Sequence, residues 1–145
     1  MKKRLNKNLI ERFSRQIILK NIGILGQKKI LTSKVLIVGV GGLGSSAAEF
    51  LVRSGIGKLG IVDYDKVSLS NLHRQSLYET SDVKKSKVQV VKKKLNRISP
   101  NTKVQTYGLK LNNNNFKKII KKYDYIVDGS DNFKTKFLLN DFCLK

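Results

Sequence analysis

Apolar positions along the chain change rhythm several times, and each rhythm predicts an element. Leu9, Ile10, Phe13, Ile17 and Ile18 recur at helical intervals among basic residues, which predicts an amphipathic helix over 6–20. "KVLIVG" at 34–39 is a nearly continuous β-branched run, the pattern of a strand covered on both faces. "GVGGLGSS" then turns the chain into a helix whose interior, "AAEFLVRS", ends at Gly55 as its cap. "KLGIVD" at 58–63 is a second strand. Strand, glycine turn, helix and strand imply a parallel unit with a right-handed crossover.

The second half continues the alternation. From Asp82 the pattern is helical, with Val88, Val91, Leu95 and Ile98 on one stripe and Lys92, Lys93 and Lys94 mostly off it. Pro100, the only proline, stops that helix. "TKVQTYG" at 102–108 alternates as a strand, and "NFKKIIKK" is a short helix. Residues 124–128 form a strand that runs into the acidic loop "DGSDN", and a last helix begins near Asn132. No internal repeat is visible. At 145 residues the length suits one core.

Composition changes this picture little. The net charge of +20 comes from 30 basic against 10 acidic residues, spread along the chain with clusters at 92–94, 117–118 and 121–122. The Lys/Asn/Ile bias of "LNNNNFKKIIKK" points to composition first, with an anionic partner surface as the alternative and nucleic acid as a third. The apolar stretch at 35–40 is far short of the roughly 20 residues that span a bilayer. The basic N-terminus lacks the apolar core of a signal peptide, so the expectation is a cytoplasmic protein without a membrane segment. A single cysteine, Cys143, excludes an internal disulfide and a cysteine-built zinc site within the chain.

The glycines carry the first chemistry. Gly39, Gly41 and Gly44 have the G-x-G-x-x-G spacing, follow a strand and open a helix. That context brings backbone amides and a helix N-terminus to a phosphate. Asp63, at the end of the next strand, is placed to receive ribose hydroxyls. Asp65 is read as a solvated turn acid. Arg74, Lys87, Asp128 and Asp131 add to the same sheet edge. Arginine forks onto phosphate oxygens, lysine adds a point charge, and a carboxylate such as Asp131 can hold Mg²⁺ with substrate phosphates. This set suits a triphosphate and its metal better than a dinucleotide. The predicted fold is α/β, a Rossmann-like doubly wound and mainly parallel sheet.

"RFSRQI" (12–17), "VGVGGLGS" (38–45), "DYDKVSLSNLHRQ" (63–75), "DVKKSK" (82–87) and "DGSDN" (128–132) together resemble the ThiF/MoeB/HesA family. These relatives of ubiquitin-activating enzymes adenylate the C-terminal glycine of small sulfur-carrier proteins of the ThiS or MoaD type. The resemblance implies ATP and Mg²⁺ as cofactors, Gly42 at the phosphates and Asp63 on ribose. It puts Ser70, Asn71, Leu72, His73 and Arg74 around the nucleotide, Lys87 on phosphate, and Asp131 at the metal with Asn132 nearby. Arg15 would reach into the neighbouring subunit of a homodimer. Arg15, Arg74, Lys87 and Asp131 are therefore the candidate catalytic residues. His73 is read as a bystander, because an attacking carboxylate is already ionised near neutral pH.

The departures are specific. Lys84 stands where the family commonly has glycine, and Lys136 where it commonly has arginine. Family members continue for roughly as long again, commonly with two Cys-x-x-Cys pairs for zinc. The expectation is therefore residues 1–33 as an N-terminal helical segment and 34–145 as an ATP-binding domain incomplete at its C-terminus. Cys143 is expected to pack in the core. An inactive ATP-binding remnant, an NAD-dependent oxidoreductase and a basic nucleic-acid-binding module stay open as alternatives.

Overall fold

In β1 (Lys34–Val38), Val35 and Ile37 point to one side of a sheet and Leu36 and Val38 to the other, and all four are buried. β2 (Lys58–Val62) repeats this with Leu59 and Ile61 against Val62. Both strands are covered on both faces, as the unbroken apolar runs require. The computed structural model describes residues 5–144, and its centre is a parallel four-stranded sheet of order β3-β2-β1-β4. β3 is Lys103–Tyr107 and β4 is Tyr125–Asp128. α4 (Gly42–Arg53) and α5 (Lys87–Ile98) cover one face through Ala48, Val52, Val88, Val91 and Leu95. α6 (Asn113–Ile120) and α7 (Phe133–Cys143) cover the other through Phe116, Ile119 and Leu139. The fold is Rossmann-like and doubly wound, as predicted.

α4 ends where Gly55 takes φ +93°, with the Ile56 N–H bonded back to the Leu51 carbonyl at 3.1 Å. A Cβ on Gly55 would meet the Phe13 ring at 2.5 Å. That contact corrects the expected helix over 6–20. Phe13 leaves helical geometry (φ −107°, ψ 15°) to bury its ring, and the chain forms α1 (Lys7–Arg12) and α2 (Ser14–Ile17) instead. A further helix, α3 (Gly23–Thr32), leads into β1. Of the helical stripe only Phe13 is buried, while Ile10 and Ile18 are exposed.

The helix expected from Asp82 begins at Lys87. Before it, Asp82 closes a 3-10 turn, Lys84 N–H bonds the Val67 carbonyl at 2.8 Å, and Val67 N–H bonds the Lys85 carbonyl at 2.9 Å. This pairing with the segment after β2 holds Lys84 at φ +70°, in the left-handed region. Lys84→Gly should relieve roughly 1–2 kcal/mol of strain and lose about 0.4–1 kcal/mol through a freer unfolded chain. The expected result is a small stabilisation, read as a higher denaturant midpoint at unchanged slope.

Asp82 is buried and meets Lys94 at 3.1 Å and the Glu79 N–H at 3.1 Å. Burial alone would raise its pKa, but Lys94, the Glu79 amide and Lys85 outweigh it and hold the carboxyl below its ordinary value. A depressed folded value means that this stabilisation is complete above the unfolded pKa of about 3.9. It is lost as pH falls through the folded value. Melting temperature should therefore drop below about pH 4, and Asp82→Asn should flatten that drop.

Cys143 is exposed at the end of α7, not packed in the core, because Leu139 and Phe142 take the inward positions of that helix. Among the described residues no helix is long and apolar enough to cross a membrane.

Candidate functional site

The strand order reverses between β1 and β4, and the glycine loop lies at that crevice. Gly39 takes φ +84°, and a Cβ there would sit 2.8 Å from the Gly129 carbonyl oxygen. A Cβ on Gly44 would overlap the Gly39 carbonyl oxygen. The loop is thus pressed between the start of α4 and the turn after β4. Its Val40 peptide is held at both ends. The Val40 N–H donates to Asp63 Oδ2 at 2.9 Å, and its carbonyl accepts from the buried Tyr78 hydroxyl at 2.8 Å. Burial, reinforced by Asp63, Asp65 and Asp82, pushes the Tyr78 phenol far up, so it remains a donor. The first turn of α4 has no side-chain cap, which leaves its amides for a ligand anion.

Beyond the loop opens a cleft of about 900 Å³. Among the residues expected there, Gly39, Gly41, Gly42, Asp63, Asn71, Arg74, Lys87, Asp131 and Asn132 line it. Asp63 is fixed by the Val40 amide and by the Asp65 N–H, which reaches Oδ1 at 2.8 Å. Lys87 is only 6% exposed, and its Nζ lies 3.1 Å from Asp65 Oδ2. Asp65 is therefore more than a solvated turn acid. Its outer side meets water, and its inner oxygen holds the ammonium at the cleft wall.

Arg74 Nη1 bonds the Ser70 carbonyl at 3.1 Å and lies 3.3 Å from His73 Nε2. The Arg74 stem runs beside Gly42. Ser70, Leu72, His73, Gly44 and Arg15 lie outside the cleft lining. The Ser70 hydroxyl pairs with that of Ser68 at 3.0 Å, Leu72 packs on the core, and His73 and Arg15 are exposed.

In the acidic loop the two carboxylates differ. Asp128 Oδ1 accepts from the Ser130 N–H at 2.9 Å and hydroxyl at 2.6 Å, and Lys136 reaches Oδ2 at 3.2 Å. Burial would raise its pKa, but Ser130 and Lys136 outweigh it and hold the carboxyl below its ordinary range. Asp131 lines the cleft and forms no hydrogen bond or ion pair among the described residues. Asn132 caps α7 by accepting the Thr135 N–H at 3.0 Å. No group of three or more His, Cys, Asp or Glu that could hold a metal ion converges among the described residues.

Sequence reasoning missed several wall residues. Gln75 is 4% exposed, lines the cleft, and leaves Oε1 without a hydrogen-bond partner among the described residues. Leu109, Lys110 and Leu111 form the wall after β3, and Lys110 lies over the Tyr64 ring at 5.6 Å. Their signal was positional, since each follows the carboxyl end of a parallel strand.

A sequence model of the ThiF family matches residues 13–145. The chain belongs to the ThiF family. The adenylyltransferase and sulfurtransferase MOCS3 of Aedes aegypti is 45% identical over 141 residues, which are 97% of this chain and 32% of that protein. The sulfur carrier protein adenylyltransferase of Thermus thermophilus is 42% identical over 138 residues, or 95% of this chain and 51% of that protein. The chain spans between about a third and a half of these relatives' length. Among solved structures, E. coli tRNA N6-threonylcarbamoyladenosine dehydratase in complex with ATP superposes with a TM-score of 0.83 at 27% identity. That superposition covers 90% of this chain and 53% of the dehydratase. The homologues are adenylyltransferases that align through their N-terminal part, and an ATP complex exists on this fold.

Proposed function

We propose that this ThiF-family chain binds Mg–ATP in the cleft and serves adenylation of the C-terminal glycine carboxylate of a small ubiquitin-like sulfur carrier. The observation that carries it is one crevice lined by the glycine loop, Asp63, Arg74, Lys87 and the unpartnered Asp131. In this reaction a carboxylate oxygen attacks the α-phosphorus in line, and the bond to the bridging oxygen breaks. Acyl-adenylate forms and pyrophosphate leaves. The glycine loop amides receive phosphate oxygens, Asp63 accepts from ribose, and Arg74 and Lys87 meet the charge that develops on the departing phosphates. Asp65 keeps Lys87 turned into the cleft. Asp131 fits Mg²⁺, because Asp128 is already committed to Ser130 and Lys136 and one carboxylate suffices when phosphates complete the coordination. When bound, the ion neutralises phosphate charge.

Arg15 is exposed on α2, outside its own cleft, which suits a role across a homodimer. A protein of the cytoplasm fits this chemistry. The phosphate-suited crevice and the family favour this reading over an NAD-dependent oxidoreductase. The test is thermal protection by Mg–ATP and by NAD, followed by ATP–pyrophosphate exchange with a Gly-Gly-ended carrier. Protection by ATP with carrier-dependent exchange supports the proposal. Protection by NAD alone overturns it. ATP protection without exchange would favour the ATP-binding remnant.

A further inference from the structure

The sheet edge opposite the cleft carries a second charged arrangement. β1, β2 and β3 each begin with lysine, and the parallel register places Lys34 beside Lys58 and Lys58 beside Lys103. All three point to the face shared with Leu36 and Val62, because their neighbours Val35, Leu59 and Val104 point to the other. Adjacent strands are roughly 4.8 Å apart, so the row is about 10 Å long. Like charges side by side on one face of a sheet are destabilising.

The surroundings do not neutralise the row. Among the described residues none of the three lysines has an ion pair within 4.0 Å, and neither has Lys122, which follows α6 at the same edge. Asp124 is the nearby acid, and its Oδ2 accepts the Lys34 backbone N–H at 2.8 Å. The central lysine is held in place. A Cβ on Gly60 would fall within the Tyr123 ring, so glycine in β2 lets that ring lie across the strand. Lys58 Nζ then sits 4.6 Å from the ring centroid. Burial, with Lys103, Lys122 and Lys34 adding, lowers the Lys58 pKa.

We propose that the Lys34–Lys58–Lys103 row binds a phosphate-bearing polyanion, either a single-stranded nucleic-acid backbone or a free polyphosphate. Lysine is an established phosphate binder and meets it as a compact point charge. A file of cations at near-regular spacing matches a chain of phosphates better than a single anion. The site is separate from the cleft and does not depend on the function proposed there.

The test compares wild type with the triple variant Lys34→Gln, Lys58→Gln, Lys103→Gln. A control triple, Lys7→Gln, Lys20→Gln, Lys93→Gln, removes equal charge at exposed positions elsewhere. Binding of a labelled oligouridine is followed by anisotropy across a salt series. The row variant should bind at least about tenfold more weakly, with a salt slope shallower by about 2 from three lost phosphate contacts. Melting supplies a second readout. Without ligand the row variant should melt higher than wild type, and oligouridine or tripolyphosphate should raise wild type more than the row variant. Row-dependent effects of oligouridine identify nucleic acid as the source, and effects of tripolyphosphate alone identify free polyphosphate. Equal losses in both triples, or an equal melting gain in all three proteins, overturn the proposal. So does row-dependent binding of poly-glutamate without binding of either phosphate probe.

Discussion

Gly44→Ala is expected to leave little folded protein, whereas Gly42→Ala folds and loses its grip on ATP. The two glycines lie two residues apart at the start of α4 but meet different neighbours. A methyl on Gly44 would overlap the Gly39 carbonyl oxygen and crowd the Ile37 side chain. The Gly39 backbone cannot yield, because its other side is pressed against Gly129. Overpacking of a core usually costs 1–3 kcal/mol, and a clash with backbone fixed on both sides should exceed about 3 kcal/mol. That is a large share of the roughly 5–15 kcal/mol that holds a domain together. At Gly42 the methyl would stand 3.6 Å from the Arg74 carbonyl, an ordinary contact, and would face the cleft where a phosphate is proposed to approach the amides. Thermal denaturation with and without Mg–ATP separates the two. A Gly44→Ala protein that melts near wild type would show that α4 can move off the sheet. A Gly42→Ala protein with full ATP protection would remove the glycine loop from the phosphate site.

The parts of the fold legible in the sequence were those fixed by local chemistry. β1 and β2 announce themselves because both faces are covered, and α4 because its end needs the left-handed Gly55. The errors arose where a distant contact decided the outcome. Phe13 fits the helical stripe of 6–20, but its ring fills the space beside Gly55, forty-two positions away, and the helix breaks there. Ile10 and Ile18 satisfy the same pattern and remain exposed, since periodicity names a face without naming its partner. Lys85 and Lys84 look like the first turn of a helix, yet their backbones pair with Val67 and delay α5 to Lys87.

The candidate site divides in the same way. Glycine spacing and strand-end acids place the cleft without coordinates. Which acid is free and which is committed depends on partners brought by folding. Asp65 gains Lys87 across the loop after β2, and Asp128 gains Ser130 and Lys136, which leaves Asp131 open. Lys136 reaches that strand-end acid as a single point charge where a guanidinium could have formed two bonds. The sharing of work within "SNLHRQ" also needed the structure. Gln75 turns into the wall, Arg74 lies along the glycine loop, and His73 faces solvent.

That division sets up the last expectation, in which Arg74→Ala loses about a hundredfold or more in ATP–pyrophosphate exchange and His73→Ala stays near wild type. Arg74 lines the cleft beside Gly42, within reach of anything bound at the loop amides. Loss of one donor aimed at developing charge typically costs about 2.7–4 kcal/mol, which is 10²- to 10³-fold in rate. His73 lies outside the lining, and among the described residues its side-chain hydrogen-bond partner is Arg74 Nη1 at 3.3 Å. Its removal should disturb at most the resting position of the guanidinium, which the Ser70 carbonyl also holds. Arg74→Lys tests geometry separately from charge. It should recover part of ATP binding but little of the exchange rate, because a point charge cannot reproduce two parallel bonds to phosphate oxygens. All variants should melt near wild type, since Arg74 and His73 are exposed and neither belongs to the core. If this chain shows no exchange, the same order should appear in ATP affinity. Equal losses for Arg74→Ala and His73→Ala would mean that the motif acts as a structural unit and that Arg74 has no separate role on phosphate.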